Sequence, residues 1–361
     1  MSNLVLLVAF AAVLLAPAVA GVARFDPMGS LDENRQLAKR PMVSLISRDS
    51  LRNPSAIAQQ WEQYFGDHFG LRKFLIGSYR LAQFHILGTS PNPAVVIGKS
   101  DGRSRWLFFD AEVAKQGISF QSLLGKKPYS AADLAAIANN LRRMTELARA
   151  NGLKLVIAVC PDKQTIYTEY LPSRLRPKPG TLSRLDQFWA YAAGLQDVPL
   201  VDLRIPLRNA KDKFDLYYPT DTHWNIRGAI LGYEAIAKAL QAQDPAREPM
   251  AIESLAWVNG ELPVGDLAKM LGLPTARGDA HPFAILPALD LPGSKRRGKL
   301  LALGDSFFNG MSTFFEHQFE VVKKINSARK AVTPWLSQAL IDAEKPDVVL
   351  VESIERHWTE P

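Results

Sequence analysis

Lys299-Leu300-Leu301-Ala302-Leu303-Gly304-Asp305-Ser306-Phe307-Phe308 is the stretch on which the fold turns. An apolar run that passes straight into Gly-Asp-Ser has the pattern of a buried strand ending abruptly in a polar turn. In open α/β sheets ligands gather at the carboxyl ends of strands, so Ser306 is expected at an edge fit for a site. A serine hydroxyl is a weak nucleophile until a base takes its proton. Of the 6 histidines, His223 stands in the most telling context, Tyr217-Tyr218-Pro219-Thr220-Asp221-Thr222-His223-Trp224-Asn225. In an extended segment Asp221 and His223, two apart, point to one face. The carboxylate then fixes the imidazole tautomer while the other ring nitrogen faces the serine. Each half also has a plainer reading. Gly-Asp-Ser suits an ordinary turn, and Asp-Thr-His-Trp suits a capped helix start, because Asn225 opens an apolar-periodic run. The pairing of the two in one chain is what points to nucleophile, base and carboxylate.

Working outward, apolar strands alternate with amphipathic helices. Ser130 to Ala150 reads as a helix with Ser130 as N-cap and Asp133 at the capping-box position, ended by Gly152. A strand from Leu153 to Val159 follows, then a helix from Leu182 to Leu195 and a strand at Pro199–Leu203. Ile226 to Leu240 is the helix after His223. Beyond Ser306 the pattern predicts a helix beginning near Asn309, a strand Phe319–Ile325, a helix Pro334–Glu344 and a strand Asp347–Val351. Upstream, Ala56–Phe65 reads as a helix, and Val95–Gly98 with Trp106–Phe109 as short strands around a turn. Residues 245–298, rich in Pro and Gly with little period, read as an excursion over the surface. The fold class this implies is α/β, a three-layer α/β/α domain with a mostly parallel sheet.

The chain of 361 residues, 47% hydrophobic and 22% charged, is globular in composition. Its net charge of +7 is a mild basic bias, with no basic run interleaved with aromatics of the kind that binds nucleic acid. The densest basic cluster, Lys295-Arg296-Arg297-Lys299, suits a solvated loop or an anionic surface. The single cysteine, Cys160, excludes an intrachain disulfide and reads as a buried thiol at a strand end. No P-loop, Rossmann glycine pattern or H-E-x-x-H occurs, so no cofactor is expected. Asp221 and His223 lack a third histidine or carboxylate at ligand spacing, so no metal is expected either. Leu4 to Val22 is apolar and uncharged, with Ala18-Val19-Ala20 as an A-x-A-like site, and reads as a signal peptide or a membrane anchor.

Asp221-Thr222-His223-Trp224 upstream of Gly304-Asp305-Ser306-Phe307 resembles the periplasmic polysaccharide O-acetyltransferases of the alginate type (AlgJ/AlgX), a permuted branch of the SGNH-hydrolase superfamily. Further matches support it: Glu33-Asn34-Arg35-Gln36-Leu37-Ala38 with Pro41, Asp67-His68-Phe69-Gly70-Leu71-Arg72, Pro161-Asp162-Lys163, and the terminal Glu355-Arg356. One departure stands out. Family members run from "GKDG" into "WLF", whereas here Lys99-Ser100-Asp101-Gly102 is followed by an added Arg103-Ser104-Arg105. The resemblance covers nearly all of residues 30–361, without the C-terminal carbohydrate-binding module of the AlgX type. The expected layout is therefore a signal peptide or anchor over 1–23, a linker over 24–54 and the SGNH-like domain over 55–361.

The resemblance implies an O-acetyltransferase acting on an exported polysaccharide, alginate or another, in the periplasm. Ser306 is the expected nucleophile, His223 its base and Asp221 the orienting carboxylate. The backbone N–H of Ser306 is the obvious first oxyanion donor, with Asn309 and Arg356 as further candidates. Lys163 and Trp224 are candidate substrate contacts, and Trp224 and Trp358 are candidate stacking platforms for sugar rings. A membrane-bound O-acyltransferase is the implied acetyl donor, with other export-complex proteins as partners. A carbohydrate acetylesterase using the same triad, or a non-catalytic polysaccharide-binding scaffold, is the alternative.

Overall fold

The structure, a computed structural model, describes residues 2–23, 25–27, 36–41, 54–102, 104–250, 255–261, 264–273, 280–285, 296–326 and 335–359. The Glu33-Asn34-Arg35 motif, the inserted Arg103, Lys295 and the expected helix start at Pro334 lie outside the described residues. In chain order the strands are β1 (Val95–Ser100), β2 (Arg105–Phe109), β3 (Lys154–Cys160), β4 (Leu200–Asp202), β5 (Ala256–Glu261), β6 (Ala280–Ile285), β7 (Lys299–Gly304), β8 (Val321–Asn326) and β9 (Val348–Ile354). The longer helices are α1 (Ser2–Val22), α2 (Pro54–His68), α3 (Arg72–His85), α4 (Ala131–Ala150), α5 (Arg184–Ala192), α6 (Ile226–Gln243) and α7 (Gln338–Glu344).

Contacts group the chain into two units, residues 1–92 with 268–276, and residues 93–267 with 277–361. The helices α2 and α3 thus belong with α1. The second unit carries the sheet, in the order β4-β3-β9-β7-β8, with every neighbouring pair parallel. Its three central strands, β3, β9 and β7, are apolar and buried on both faces, as a sheet covered on both sides requires. Val156, Ala158 and Cys160 of β3 pack into one layer with Ile230, Tyr233, Ile236 and Leu240 of α6. Leu155, Ile157 and Val159 pack into the other with Ile137, Leu141 and Met144 of α4 and Leu185 and Phe188 of α5. This period of two, repeated in β7 and β9, makes the three-layer α/β/α architecture.

The capping box at Ser130 is formed in full: Ser130 Oγ accepts from the Asp133 amide and Asp133 accepts from the Ser130 amide. Two expectations need correction. The chain after β7 is a 3-10 turn, Ser306–Gly310, followed by the helix Ser312–Glu316, rather than one helix from Asn309. Asp305 caps the turn by accepting from the Phe307 amide at 2.9 Å, which starts the turn at Ser306 itself. The aperiodic stretch 245–298 contains the antiparallel pair β5/β6 and the short helix Asp266–Leu271.

Candidate active site

Ser306 sits where β7 ends, and the close fit there demands glycine before it. A Cβ on Gly304 would lie 2.6 Å from Glu352 Oε2. Glu352, on the neighbouring β9 and fully buried, accepts the Asp305 amide at 3.1 Å. Burial, and then the Asp305 carboxylate, push the Glu352 carboxyl well above the usual range. Asp305 is held below that range. Burial acts upward on it, but His357, with Nδ1 3.9 Å away, and the amides of Phe307 and Ile354 outweigh burial. The side chain of Ser306 is left exposed above this buried framework.

The histidine loop is not extended, as its spacing suggested. Residues 218–223 form a tight loop closed by a bridge between Tyr217 and Trp224 and by Tyr218 N–H donating to His223 O at 3.2 Å. Asp221 Oδ1 accepts the His223 amide at 3.0 Å, and this local fold-back is what brings the carboxylate to the ring. His223 Nδ1 lies 2.7 Å from Asp221 Oδ1, and Nε2 lies 2.8 Å from Ser306 Oγ. Asp221 is held at about 2. Burial acts upward on it, and the hydrogen bond and charge of His223, with the amides of Asp266 and His223, outweigh burial. An ionised carboxylate only accepts, so Nδ1 carries the ring proton and Nε2 is left to accept from the serine.

A residue with no sequence signal completes this arrangement. Asp266 donates its amide to Asp221 Oδ2 at 2.8 Å, and its carboxylate accepts from Thr222 N–H at 2.7 Å and Thr222 Oγ1 at 2.5 Å. Its Oδ2 is also 3.8 Å from His223 Nδ1. Asp266 thereby supplies the third potential ligand that spacing in the sequence alone did not reveal, close enough with Asp221 and His223 to share one ion. The oxygen and nitrogen atoms concerned are already committed to hydrogen bonds within the loop, and the set fits proton chemistry better than metal ligation.

The remaining candidates divide. Asn309 is exposed beside Ser306, and its Oδ1 accepts from Lys324 Nζ at 2.6 Å. Together with Tyr218, His223, Ile226, Ser306 and Gly310 it lines an open groove of about 420 Å³. Lys163 is no open substrate contact. It is 2% exposed and donates to the carbonyls of Tyr218, Pro219 and Asp221 at 3.0, 3.1 and 2.6 Å, pinning the histidine loop from below. Arg356 is likewise buried, and pairs with Asp162 at 2.5 Å rather than with Glu355 or Asp305. Trp224, 3% exposed, donates Nε1 to Phe307 O at 3.2 Å and packs edge-on against Phe307. Trp358 is wholly enclosed against Phe188. Neither ring is open to stack on a sugar, because both supply the large apolar area that the layers bury.

Two predictions arise here. Lys163→Met leaves three carbonyls without their cation, so a destabilisation of about 2–4 kcal/mol is expected, with loss of the His223 geometry; urea unfolding measures it. Glu355, whose carboxylate accepts the Asp162 amide at 2.9 Å, is pushed up to about 8 by burial and by Asp162, against 4.5 for an ordinary glutamate. Its protonated form therefore stabilises the fold below about pH 4.5, and this contribution is lost as pH rises through about 8. Tm should fall across that window, and Glu355→Gln should flatten the slope; an unchanged slope would count against it.

Comparison with known proteins places the chain in a family. Residues 100–284, just over half of the chain, match the family described as SGNH hydrolase-like domain, acetyltransferase AlgX. Asp221, His223 and Asp266 fall inside that segment and Ser306 beyond it. The "Probable alginate O-acetylase AlgJ" of Pseudomonas putida is 29% identical over 187 residues, 52% of this chain and 44% of its own. The Pseudomonas aeruginosa protein of that description is 32% identical over 188 residues, 52% of this chain and 42% of its own. The chain thus matches less than half the length of these curated relatives. Among solved structures, the O-acetyltransferase domain of Pseudomonas putida AlgJ superposes with a TM-score of 0.51 at 24% identity, over 74% of this chain and 92% of that one. Bacillus cereus PatB1 superposes with 0.52 at 14%, over 74% and 98%. At such identities the superpositions speak for a shared fold. With the family match spanning the histidine loop and β2–β5, the chain belongs to the SGNH hydrolase-like domain family of the AlgX acetyltransferase type.

Proposed function

We propose that the protein is an O-acetyltransferase that acetylates hydroxyls of an exported polysaccharide in the periplasm, through an acetyl-serine on Ser306. The observation that carries this reading is the continuous hydrogen-bonded chain Asp221–His223–Ser306, with steps of 2.7 and 2.8 Å, opening on a groove. Ser306 Oγ attacks the acetyl carbonyl as His223 Nε2 takes its proton, and Asp221 stabilises the imidazolium. The donor's leaving group departs with that proton, leaving the acetyl ester on Ser306. A sugar hydroxyl then attacks the ester, its proton passing to Nε2, and Ser306 Oγ leaves and takes the proton back. The oxyanion is held by the Ser306 amide, at the start of its turn where the turn's own carbonyls do not reach. Asn309 is assigned as the second donor, its Oδ1 being engaged by Lys324. The acetyl donor is assigned to a membrane-bound O-acyltransferase partner and the acceptor to an alginate-like or other exopolysaccharide, within an export complex. The periplasmic location follows from reading α1 as an export or anchoring segment.

Hydrolysis is the second reading, favoured by the exposure of His223, whose side chain is 32% accessible and so open to water. Incubation with an activated acetyl donor and a panel of oligosaccharides separates the readings by mass spectrometry. Acetylated sugar is the expected product. Free acetate alone, across all acceptors, makes the protein an esterase. Sugar binding with no trappable acyl-enzyme makes it a scaffold and overturns the proposal.

A further inference from the structure

The unit formed by α1–α3 carries an apolar surface that its own contacts leave uncovered. Phe65, Tyr79, Ile86 and Leu87 are 61%, 63%, 79% and 64% exposed, and Phe69, Phe74 and Leu75 are also exposed. Trp61 and Phe65, four apart on α2, form a stripe that Phe69, just past the helix end and donating its amide to Phe65 O, continues, and Trp61 stacks on Phe65 with ring centroids 5.4 Å apart. On α3, Leu75 and Tyr79 repeat the interval, and Ile86 follows seven residues on, again on the same face. Scattered apolar side chains are ordinary on a protein surface, but contiguous stripes mark an interaction site.

What covers them is indicated by α1. Its Asn3–Val22 segment has a mean hydropathy of 2.7 and is exposed along nearly its whole length. At 1.5 Å per residue such a helix is about 30 Å long, the thickness of a bilayer's hydrocarbon core. Gly70, in the turn between α2 and α3, is seated directly on the far end of this helix. A Cβ there would lie 2.1 Å from Pro17 O and 2.2 Å from Gly21 N, so backbone meets backbone and no other residue fits. Ala20 is buried, and Asp26, just past α1, accepts the Lys73 amide at 3.0 Å at the start of α3. A bilayer spanned by α1 would bring this turn to the level where the acyl-chain core gives way to headgroups. Trp61, Tyr64 and Tyr79, with Lys73 and Arg80, are the residue types suited to that level: rings with an apolar body and a polar tip, and cations on long apolar stems.

We propose that α2 and α3 lie in the plane of the membrane interface, with their apolar stripes in the acyl-chain boundary of a lipid bilayer beside a retained α1. The inference does not depend on the chemistry assigned to Ser306.

The full chain is reconstituted in phosphatidylcholine/phosphatidylglycerol nanodiscs. An environment-sensitive fluorophore is attached to Phe65→Cys, Tyr79→Cys or Ile86→Cys, and to Gln63→Cys as control on the opposite face of α2. Cys160 is buried and does not compete for the label. Labels at 65, 79 and 86 should lose at least about half their emission to shallow doxyl lipids, whereas the label at 63 should respond to aqueous iodide instead. Hydroxyl-radical footprinting of the unmodified chain gives a check free of substitutions: Phe65 and Tyr79 should be protected in nanodiscs while the exposed Tyr191 of the other unit is oxidised. Iodide quenching at all four positions overturns the proposal. So does protection of the stripes only when a membrane protein partner is co-reconstituted, which would make the surface a protein interface. A mature N-terminus at Gly21 also overturns it, since cleavage would remove Pro17 and Ala20, on which Gly70 is seated.

Discussion

Ser306→Ala is expected to reduce acyl transfer by about 10⁴-fold or more while leaving the fold intact. The two halves of that expectation have separate causes. The hydroxyl lies at an exposed strand terminus, 2.8 Å from His223 Nε2, so its removal opens no core void. A stability change within about 0.5 kcal/mol is the expected result for such a position. The rate, in contrast, loses its nucleophile outright. What survives is the binding and oxyanion contribution, which needs an attacking atom to act upon. His223→Ala should be nearly as damaging, and the double variant little worse than either single one, because the residues act as a unit. A serine-directed sulfonylating reagent should label the wild type at Ser306 and nothing in Ser306→Ala. Transfer at the wild-type rate by a Ser306→Ala protein of unchanged Tm would remove Ser306 from the mechanism.

Legibility in the sequence followed the range of the interactions. The strand β7 and its Gly-Asp-Ser turn could be read because apolar run, glycine and capping aspartate are adjacent in the chain. The capping box of α4 could be read for the same reason, its two partners being three residues apart. Asp221 and His223 were legible as a pair for being two apart, though the loop achieves their contact by folding back rather than by extension. Asp266 was invisible: its amide reaches Asp221 across 45 residues, from a stretch whose strands lack a clean alternation and contain Gly260 and Pro282. Lys163 and Arg356 were found but misassigned, since the partners that bury them, the carbonyls of 218–221 and Asp162, lie 55–58 and 194 residues away. A lysine near a strand end looks the same in sequence whether it faces substrate or a loop. Trp224 and Trp358 posed the same ambiguity, since an indole that could stack on a sugar could equally fill a core.

Asp221→Asn is the second large effect, and its argument rests on three donors sharing one carboxylate. Oδ1 accepts from the His223 amide at 3.0 Å and from His223 Nδ1 at 2.7 Å, while Oδ2 accepts from the Asp266 amide at 2.8 Å. An asparagine has one oxygen for these positions, so its NH₂ group must confront a donor wherever it is placed. Set toward Asp266, it breaks the tie to the residue that holds Thr222. Set toward His223, it forces the imidazole proton onto Nε2, where it can no longer accept from Ser306. The wrong tautomer alone costs about 10⁴-fold in kcat in a comparable triad. The pH behaviour separates this from a general loss of stability. Asp221 is held at about 2, so it is ionised throughout any practical assay and its protonation does not limit the rate there. A lowered carboxylate stabilises the fold above its unfolded pKa of about 3.9, and that contribution is lost as pH falls through about 2. It amounts to on the order of 2 kcal/mol. Asp221→Asn should therefore be slow at every pH, and should lose the part of the acid dependence of Tm that lies between about pH 4 and 2. A variant that keeps more than about a tenth of the wild-type kcat, with the imidazole still hydrogen-bonded through Nδ1 by NMR, would show that the carboxylate is not what orients His223.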